Sequence, residues 1–223
     1  MDALLAFAAA LLALRLSGML ARRWRERGDP QLAAWTAALA AYALASAALA
    51  WGAASGWSDA SFRVYYLFGG LLTAPLLGVG SLLLIDRRWA ATLGLLYSGL
   101  AVGVAIAVPL TAPVTGDSIP EAQDHLDFVP ARLLAVLGNS IGTVLVIGIA
   151  LLTIRRRPVG NALIVAGVAV AAAGSGLAGL GVAETAVFVA LAAVLLYAGF
   201  VWTKSPARRL TTPNIAERLP GRH

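Results

Sequence analysis

Residues 130–157 read PARLLAVLGNSIGTVLVIGIALLTIRRR. The stretch begins with a proline, continues through apolar and small residues, and ends at three consecutive arginines. A transmembrane helix needs about 20 predominantly apolar residues, and arginines collect beside its cytoplasmic end. The stretch therefore predicts a membrane-spanning helix over about 130–154 whose arginine end faces the cytoplasm.

The same pattern recurs along the chain. Hydrophobic residues make up 60% of the 223 positions and charged residues only 13%, whereas a soluble domain is about 25% charged. The sequence predicts an all-α membrane protein, a seven-transmembrane-helix bundle forming one domain over 1–203. Its spans are predicted at about 3–21, 31–53, 62–85, 89–110, 130–154, 158–179 and 183–203.

The charged residues between the spans alternate in sign. Arginines follow the first, third and fifth spans, and more basic residues follow the seventh, whereas the acidic loops lie at the other ends. The positive-inside rule then predicts an N-terminus outside, a C-terminus in the cytoplasm, and a basic cytoplasmic tail over 204–223. The net charge of +6 is therefore assigned to contact with lipid headgroups of a bacterial plasma membrane, with no nucleic acid as partner.

The longest loop, 111–129, is acidic. Ser118 and Glu121 have the spacing of a capping box, and Pro120 lies between them, so a short helix is predicted over 119–127. On such a helix Glu121, Asp124 and His125 share a face. Two interpretations are open. These side chains either bind a divalent cation or belong to an acidic helix that is exposed to solvent. We expect no metal and no other cofactor.

Neutral polar side chains fall near the middle of several predicted spans. Such a layer either holds helices together through hydrogen bonds or lines a site for a small apolar ligand or lipid. The sequence leaves both interpretations open. The candidate ligand or polar-layer residues are Tyr42, Thr73, Pro75, Tyr97, Ser98, Asn139, Ser140 and Thr143.

Pro75 lies in the middle of the third predicted span. A proline lacks the N–H that would bond to the carbonyl four residues earlier, here that of Leu71. Membrane helices tolerate this when neighbouring side chains supply a donor, and Thr73 or Ser98 is expected to do so. The resulting kink is either a packing feature or a hinge beside a cavity.

Several functions of seven-helix proteins are excluded by residues that the sequence lacks. The single lysine, Lys204, follows the last span and cannot hold retinal inside it, and the two histidines, His125 and His223, are too few for an intramembrane zinc or haem site. No Ser/His/acid or paired-carboxylate set reaches a common depth, so the protein is not expected to be an enzyme.

Four segments carry a resemblance: YYLFGG over 65–70 with TAPL over 73–76, IPE over 119–121, VLGNSIG over 136–142, and PVGN over 158–161. Together they resemble a group of uncharacterised multi-pass membrane proteins of actinobacteria. The likeness covers most of the chain. It implies a seven-helix membrane protein and carries no known activity.

These observations predict a non-enzymatic membrane protein that binds a membrane partner or a lipid-like ligand, as an accessory, assembly or sensory subunit. Its expected partners are the lipid bilayer and either another membrane protein or a second copy of the chain. The alternative is a facilitator or uniporter for a small neutral or apolar solute that uses Pro75 and the polar layer around Asn139.

Overall fold

The computed structural model describes residues 2–116, 118–178 and 185–201, and these residues form an all-α structure. Five of its helical segments are long and apolar enough to cross a membrane: Asp2–Arg27, Pro30–Ser55, Asp59–Leu84, Trp89–Ala107 and Phe128–Leu152. Two further apolar helices, Pro158–Gly174 and Ala186–Val201, are shorter over their fully described parts. By length and composition, this is the architecture of a multi-pass membrane protein.

The helices have the following bounds. They are α1 (Asp2–Arg27), α2 (Pro30–Ser55), α3 (Asp59–Tyr65), α4 (Thr73–Leu84), α5 (Trp89–Ala107), α6 (Ala122–His125), α7 (Leu133–Leu152), α8 (Pro158–Ala178) and α9 (Thr185–Val201). A π-helical segment, Tyr66–Leu72, joins α3 to α4, and a second, Phe128–Arg132, precedes α7. The predicted tail over 204–223 lies outside the described residues.

Six of these segments form a closed ring. Helix α1 packs on α2, α2 on α4, α4 on α7, α7 on α8, α8 on α9, and α9 returns to α1. The hydroxyl of Tyr42 on α2 donates to the carbonyl of Val189 on α9 at 2.6 Å, inside this ring. The ring buries small residues of α1 and α2, among them Ala6, Ala9, Ala38 and Ala45, which lets the backbones approach closely.

Helix α5 lies outside the ring against the segment that contains α4. Most of its surface is uncovered, with Leu95 75% and Ile106 76% exposed. Apolar side chains on the outside of a membrane bundle are solvated by lipid tails, so this exposure costs nothing in a bilayer. The face also carries Gly99 and Gly103, where an added Cβ would meet nothing within 4 Å.

The loop between α5 and α7 is docked on one end of the bundle, where the acidic residues lie. The backbone N–H of Trp57 donates to the Gly116 carbonyl at 2.8 Å, and that of Val114 donates to the Asp59 carboxylate at 2.8 Å. Val114 and Leu126, two residues of this loop, are buried in the core cluster of the bundle. This end is therefore covered, and we call the opposite end, with the turns 85–88 and 153–157, the basic end.

The short helix of this loop is smaller than its sequence predicts. It covers Ala122–His125, and Glu121 precedes it in an extended conformation with no side-chain cap. The capping box predicted at Ser118 is wrong. Leu126 turns into the core, and the Thr111 N–H donates to the His125 carbonyl at 2.9 Å, so the chain leaves the helix after one turn.

Helices α4 and α7 approach each other at glycines. A Cβ built on Gly142 of α7 would lie 2.8 Å from the backbone nitrogen of Pro75, and it would also overlap the Ala74 carbonyl. A Cβ on Gly78 of α4 would lie 2.9 Å from the Gly142 Cα. Only residues without a side chain fit this crossing, as at other close contacts between membrane helices.

This crossing makes a testable prediction. Gly142→Ala should destabilise the bundle by about 1–3 kcal/mol, because the new methyl group overlaps backbone atoms that cannot move away independently. Gly148→Ala on the same helix is the matched control, since an added Cβ there meets nothing within 4 Å. Thermal unfolding in detergent compares the two variants. Equal melting temperatures for both would contradict the close crossing.

Candidate ligand-binding site

The polar layer is organised around the Asn139 side chain. The Nδ2 of Asn139, on α7, donates to the carbonyl of Gly70 at 2.7 Å. At the end of the π-helical segment the N–H of Thr73 donates to the Phe68 carbonyl, five residues earlier. Continued into the first turn of α4, the same register pairs Gly70 with Pro75, which has no N–H. We infer that Asn139 supplies, from another helix, the donor that Pro75 lacks.

The structure corrects the expectation about the carbonyl of Leu71. The N–H of Thr73 donates to the Phe68 carbonyl, five residues earlier, and so does the Thr73 hydroxyl, at 2.7 Å. Ser98 donates to Gly94 of its own helix at 2.7 Å. Neither side chain donates to the Leu71 carbonyl, so the expectation about Thr73 and Ser98 is wrong.

The other polar-layer residues are dispersed around the bundle. Tyr97 on α5 donates to the Leu134 carbonyl on α7 at 3.3 Å, and Tyr42 bonds to α9 as described above. Ser140 is exposed and Thr143 is half-buried. The structure thus brings Pro75, Tyr97 and Asn139 together at the contact between α4, α5 and α7, and it leaves Tyr42 and Ser140 apart from them.

The acidic loop uses its candidate ligands in local contacts. The His125 Nδ1 lies 3.2 Å from the Ala112 carbonyl, and its ring packs edge-on against Phe62 with centroids 5.5 Å apart. Gln123 donates to the Glu121 carboxylate at 2.5 Å. Among the described residues, no group of three or more His, Asp or Glu side chains is placed to hold a metal ion.

A cavity of about 210 Å³ lies at the basic end, inside the ring. Its walls come from α2, α4, α7, α8 and α9. Trp35 and Phe200, which pack edge to face with centroids 5.3 Å apart, line the cavity together with apolar side chains of the other helices. These apolar residues are Leu77, Leu84, Ile85, Val146, Ile149, Ala150, Ile164, Val168 and Leu196. Leu84 is also 43% exposed, so this part of the cavity wall belongs to the outer surface of the bundle as well.

The polar residues of the cavity are few: Ser81, Thr153, Arg156, Arg157 and Asn161. Asn161, in the first turn of α8, is only 8% exposed. Its Nδ2 donates to the Ala150 carbonyl at 3.1 Å and to the Thr153 hydroxyl at 2.9 Å. These bonds satisfy the C-terminal end of α7 and fix the turn 153–157 that carries the arginines.

Arg157 is positioned by the last helix. Its Nη2 donates to the Gly199 carbonyl on α9 at 3.3 Å. The site therefore combines an apolar interior, a buried amide and two guanidinium groups. Such a combination fits an amphipathic molecule, with its apolar part inside and its polar part beside the arginines.

The residues predicted from the sequence as candidate ligand contacts do not belong to this cavity. None of the polar-layer residues lines the 210 Å³ cavity. A signal for Asn161 is nevertheless present in the sequence, because an amide in the first turn of an apolar helix directly follows the three arginines and Pro158. Trp35 and Phe200 carry no comparable signal, since aromatic residues are common in apolar spans.

The Asn139 bond makes a testable prediction. Asn139→Leu should lower the free energy of unfolding by about 0.6–2 kcal/mol, the range for hydrogen bonds between membrane helices, because the Gly70 carbonyl loses its donor. Ser140→Leu is the matched control, since the neighbouring side chain is exposed. Reversible unfolding in mixed micelles measures both variants. A larger loss from Ser140→Leu would refute the structural role of Asn139.

Comparison of the chain with protein-family models, with curated proteins and with solved structures finds no match. The site must therefore be interpreted from its own geometry. What the sequence and the structure establish together is a multi-pass α-helical membrane protein with an apolar cavity at its basic end.

Proposed function

We propose that the protein is a non-enzymatic, seven-span membrane protein that binds a lipid-like ligand in the cavity at its basic end. It would serve as an accessory, assembly or sensory subunit. The cavity is the observation that carries this proposal, because its volume of about 210 Å³ exceeds the roughly 150 Å³ of apolar cavities that hold benzene.

The location of the cavity supports a ligand that comes from the membrane. Its walls are helix faces with apolar side chains, and its polar groups are confined to the end of the bundle where the arginines lie. Lipids present the same order of chemistry along the bilayer normal, with chains in the interior and headgroups at the interface. A lipid can therefore enter without moving a polar group through the hydrocarbon.

The polar layer gives little support to the alternative, a facilitator or uniporter. Asn139, Tyr42 and Tyr97 donate to backbone carbonyls of other helices, so their donors are engaged in holding the bundle together. A solute pathway through this layer would require these bonds to break. The Gly99 and Gly103 face of α5 offers a surface for a membrane partner, but lipid tails satisfy it equally well.

The seven spans, with the N-terminus outside and the C-terminus in the cytoplasm of a bacterial plasma membrane, form part of the proposal. The distribution of arginines supports this orientation. The actinobacterial resemblance described above supports the bacterial membrane. Helix α8 has 21 residues and α9 has 17, and these lengths lie within the range of about 17–25 residues for a transmembrane helix.

The ligand proposal predicts the effect of filling the cavity. Val146→Phe on α7 adds a ring at a wall residue that is 5% exposed, whereas Val144→Phe makes the same change where the side chain is 68% exposed. Native mass spectrometry of protein extracted gently from its own membrane should detect a lipid-like molecule at one per chain. The wild type and Val144→Phe should retain it, and Val146→Phe should lose it.

Two results would contradict this proposal. One is a wild-type protein without any bound molecule, and the other is a bound molecule that Val146→Phe retains in full. Thermal unfolding of the same samples controls for misfolding. Ile164→Phe, which changes the cavity wall from α8, tests the same prediction from an independent position.

The orientation makes a separate prediction. The chain contains no cysteine, so single cysteines report accessibility without background. Ser118→Cys should react with a membrane-impermeant maleimide added to intact cells, because the acidic loop is placed outside. Glu26→Cys, at the exposed end of α1, should react only after permeabilisation. Labelling in the reverse order would overturn the proposed topology.

A further inference from the structure

Only two of the three consecutive arginines border the cavity. Arg155, Arg156 and Arg157 are all exposed, but only Arg156 and Arg157 line the cavity. The positive-inside rule explains why the three arginines lie at this end, but it assigns them equal roles. It does not explain why two of them border an apolar space.

We infer that the ligand is an apolar chain ending in a phosphate ester, with the phosphate bound by Arg156 and Arg157. This inference rests on the proposed function and names the ligand's headgroup. Guanidinium groups bind phosphate through paired N–H···O bonds, and the cavity supplies the apolar surface for the chain. No Asp or Glu is among the described residues that line the cavity, so the site offers an anion no repelling carboxylate.

The helix that follows the arginines also favours binding of an anion. The turn 153–157 leads directly into α8, so the arginines lie beside the N-terminus of a 21-residue helix, where the backbone dipole favours negative charge. Asn161 fixes this turn through its bonds to Ala150 and Thr153. The cationic end of the site is thus held in place relative to the apolar walls.

The cavity volume sets the size of the buried part. A space of about 210 Å³ is too small for two full acyl chains, since an apolar cavity of roughly 150 Å³ holds a single benzene molecule. The cavity holds the segment of one acyl chain nearest the headgroup. The remainder of the lipid extends into the bilayer past the exposed Leu84.

The test uses delipidated full-length protein and native mass spectrometry with four added probes: dioleoyl phosphatidic acid, dioleoyl phosphatidylglycerol, dioleoylglycerol and inorganic phosphate. Both phosphate lipids should bind at least tenfold more tightly than dioleoylglycerol, which has the same chains without phosphate. Inorganic phosphate should bind more weakly than either lipid, because it lacks the chain.

Variants of the arginine triplet separate the site from general electrostatics. Arg156→Gln should weaken binding of phosphatidic acid at least tenfold, and Arg155→Gln, which removes the same charge from the same turn, less than twofold. Equal losses from the two variants would overturn the inference, since they would indicate attraction to the turn as a whole. Arg156→Lys, which keeps the charge without the planar fork, should recover binding only in part.

The outcomes distinguish this inference from the proposed function. Equal affinities for dioleoylglycerol and phosphatidic acid would overturn the phosphate assignment and leave the lipid site standing. Binding of inorganic phosphate as tight as that of the lipids, with Val146→Phe unaffected, would overturn both. Absence of binding by every lipid would also overturn both.

Discussion

The hydrogen bond from Asn139 to the Gly70 carbonyl is the interaction on which the centre of the bundle depends. Pro75 removes one backbone donor from the segment Asp59–Leu84, and Asn139 of α7 donates to the Gly70 carbonyl in the π-helical turn before it. An unsatisfied carbonyl in a membrane interior is destabilising. A donor from α7 removes that cost and at the same time fixes where α7 lies.

The glycine contacts follow from the same constraint. The Asn139 side chain is short, so α7 must come close to the third segment, and Gly142 permits this beside Pro75. The middle of the bundle is then filled by closely packed helices and by the hydrogen bonds between them. The cavity lies beyond this crossing, at the basic end, where α4, α7 and α8 enclose larger side chains and the two arginines. The hydrogen-bonded layer and the proposed binding cavity therefore lie at different depths.

The sequence predicted the membrane class and most of the apolar segments, because length and hydrophobicity are local properties. It also predicted that Asn139 belongs to a polar layer, and it left open whether the layer binds a ligand or holds helices together. The sequence did not identify the partner of Asn139, since that partner depends on how α7 packs against the π-helical turn. The cavity could not be predicted from the sequence either, because a space enclosed by five helices depends on how those helices pack. The contact between Trp35 and Phe200 is an example.

The most direct test of this account is a double-mutant cycle between Pro75→Ala and Asn139→Leu, followed by reversible unfolding. Alanine at position 75 restores the backbone N–H that can bond to Gly70. The account predicts that Asn139→Leu costs at most half as much stability in the Pro75→Ala background as in the wild type, which is a coupling of at least about 0.3–1 kcal/mol. An equal cost in both backgrounds would show that Asn139 does not replace the donor missing from Pro75.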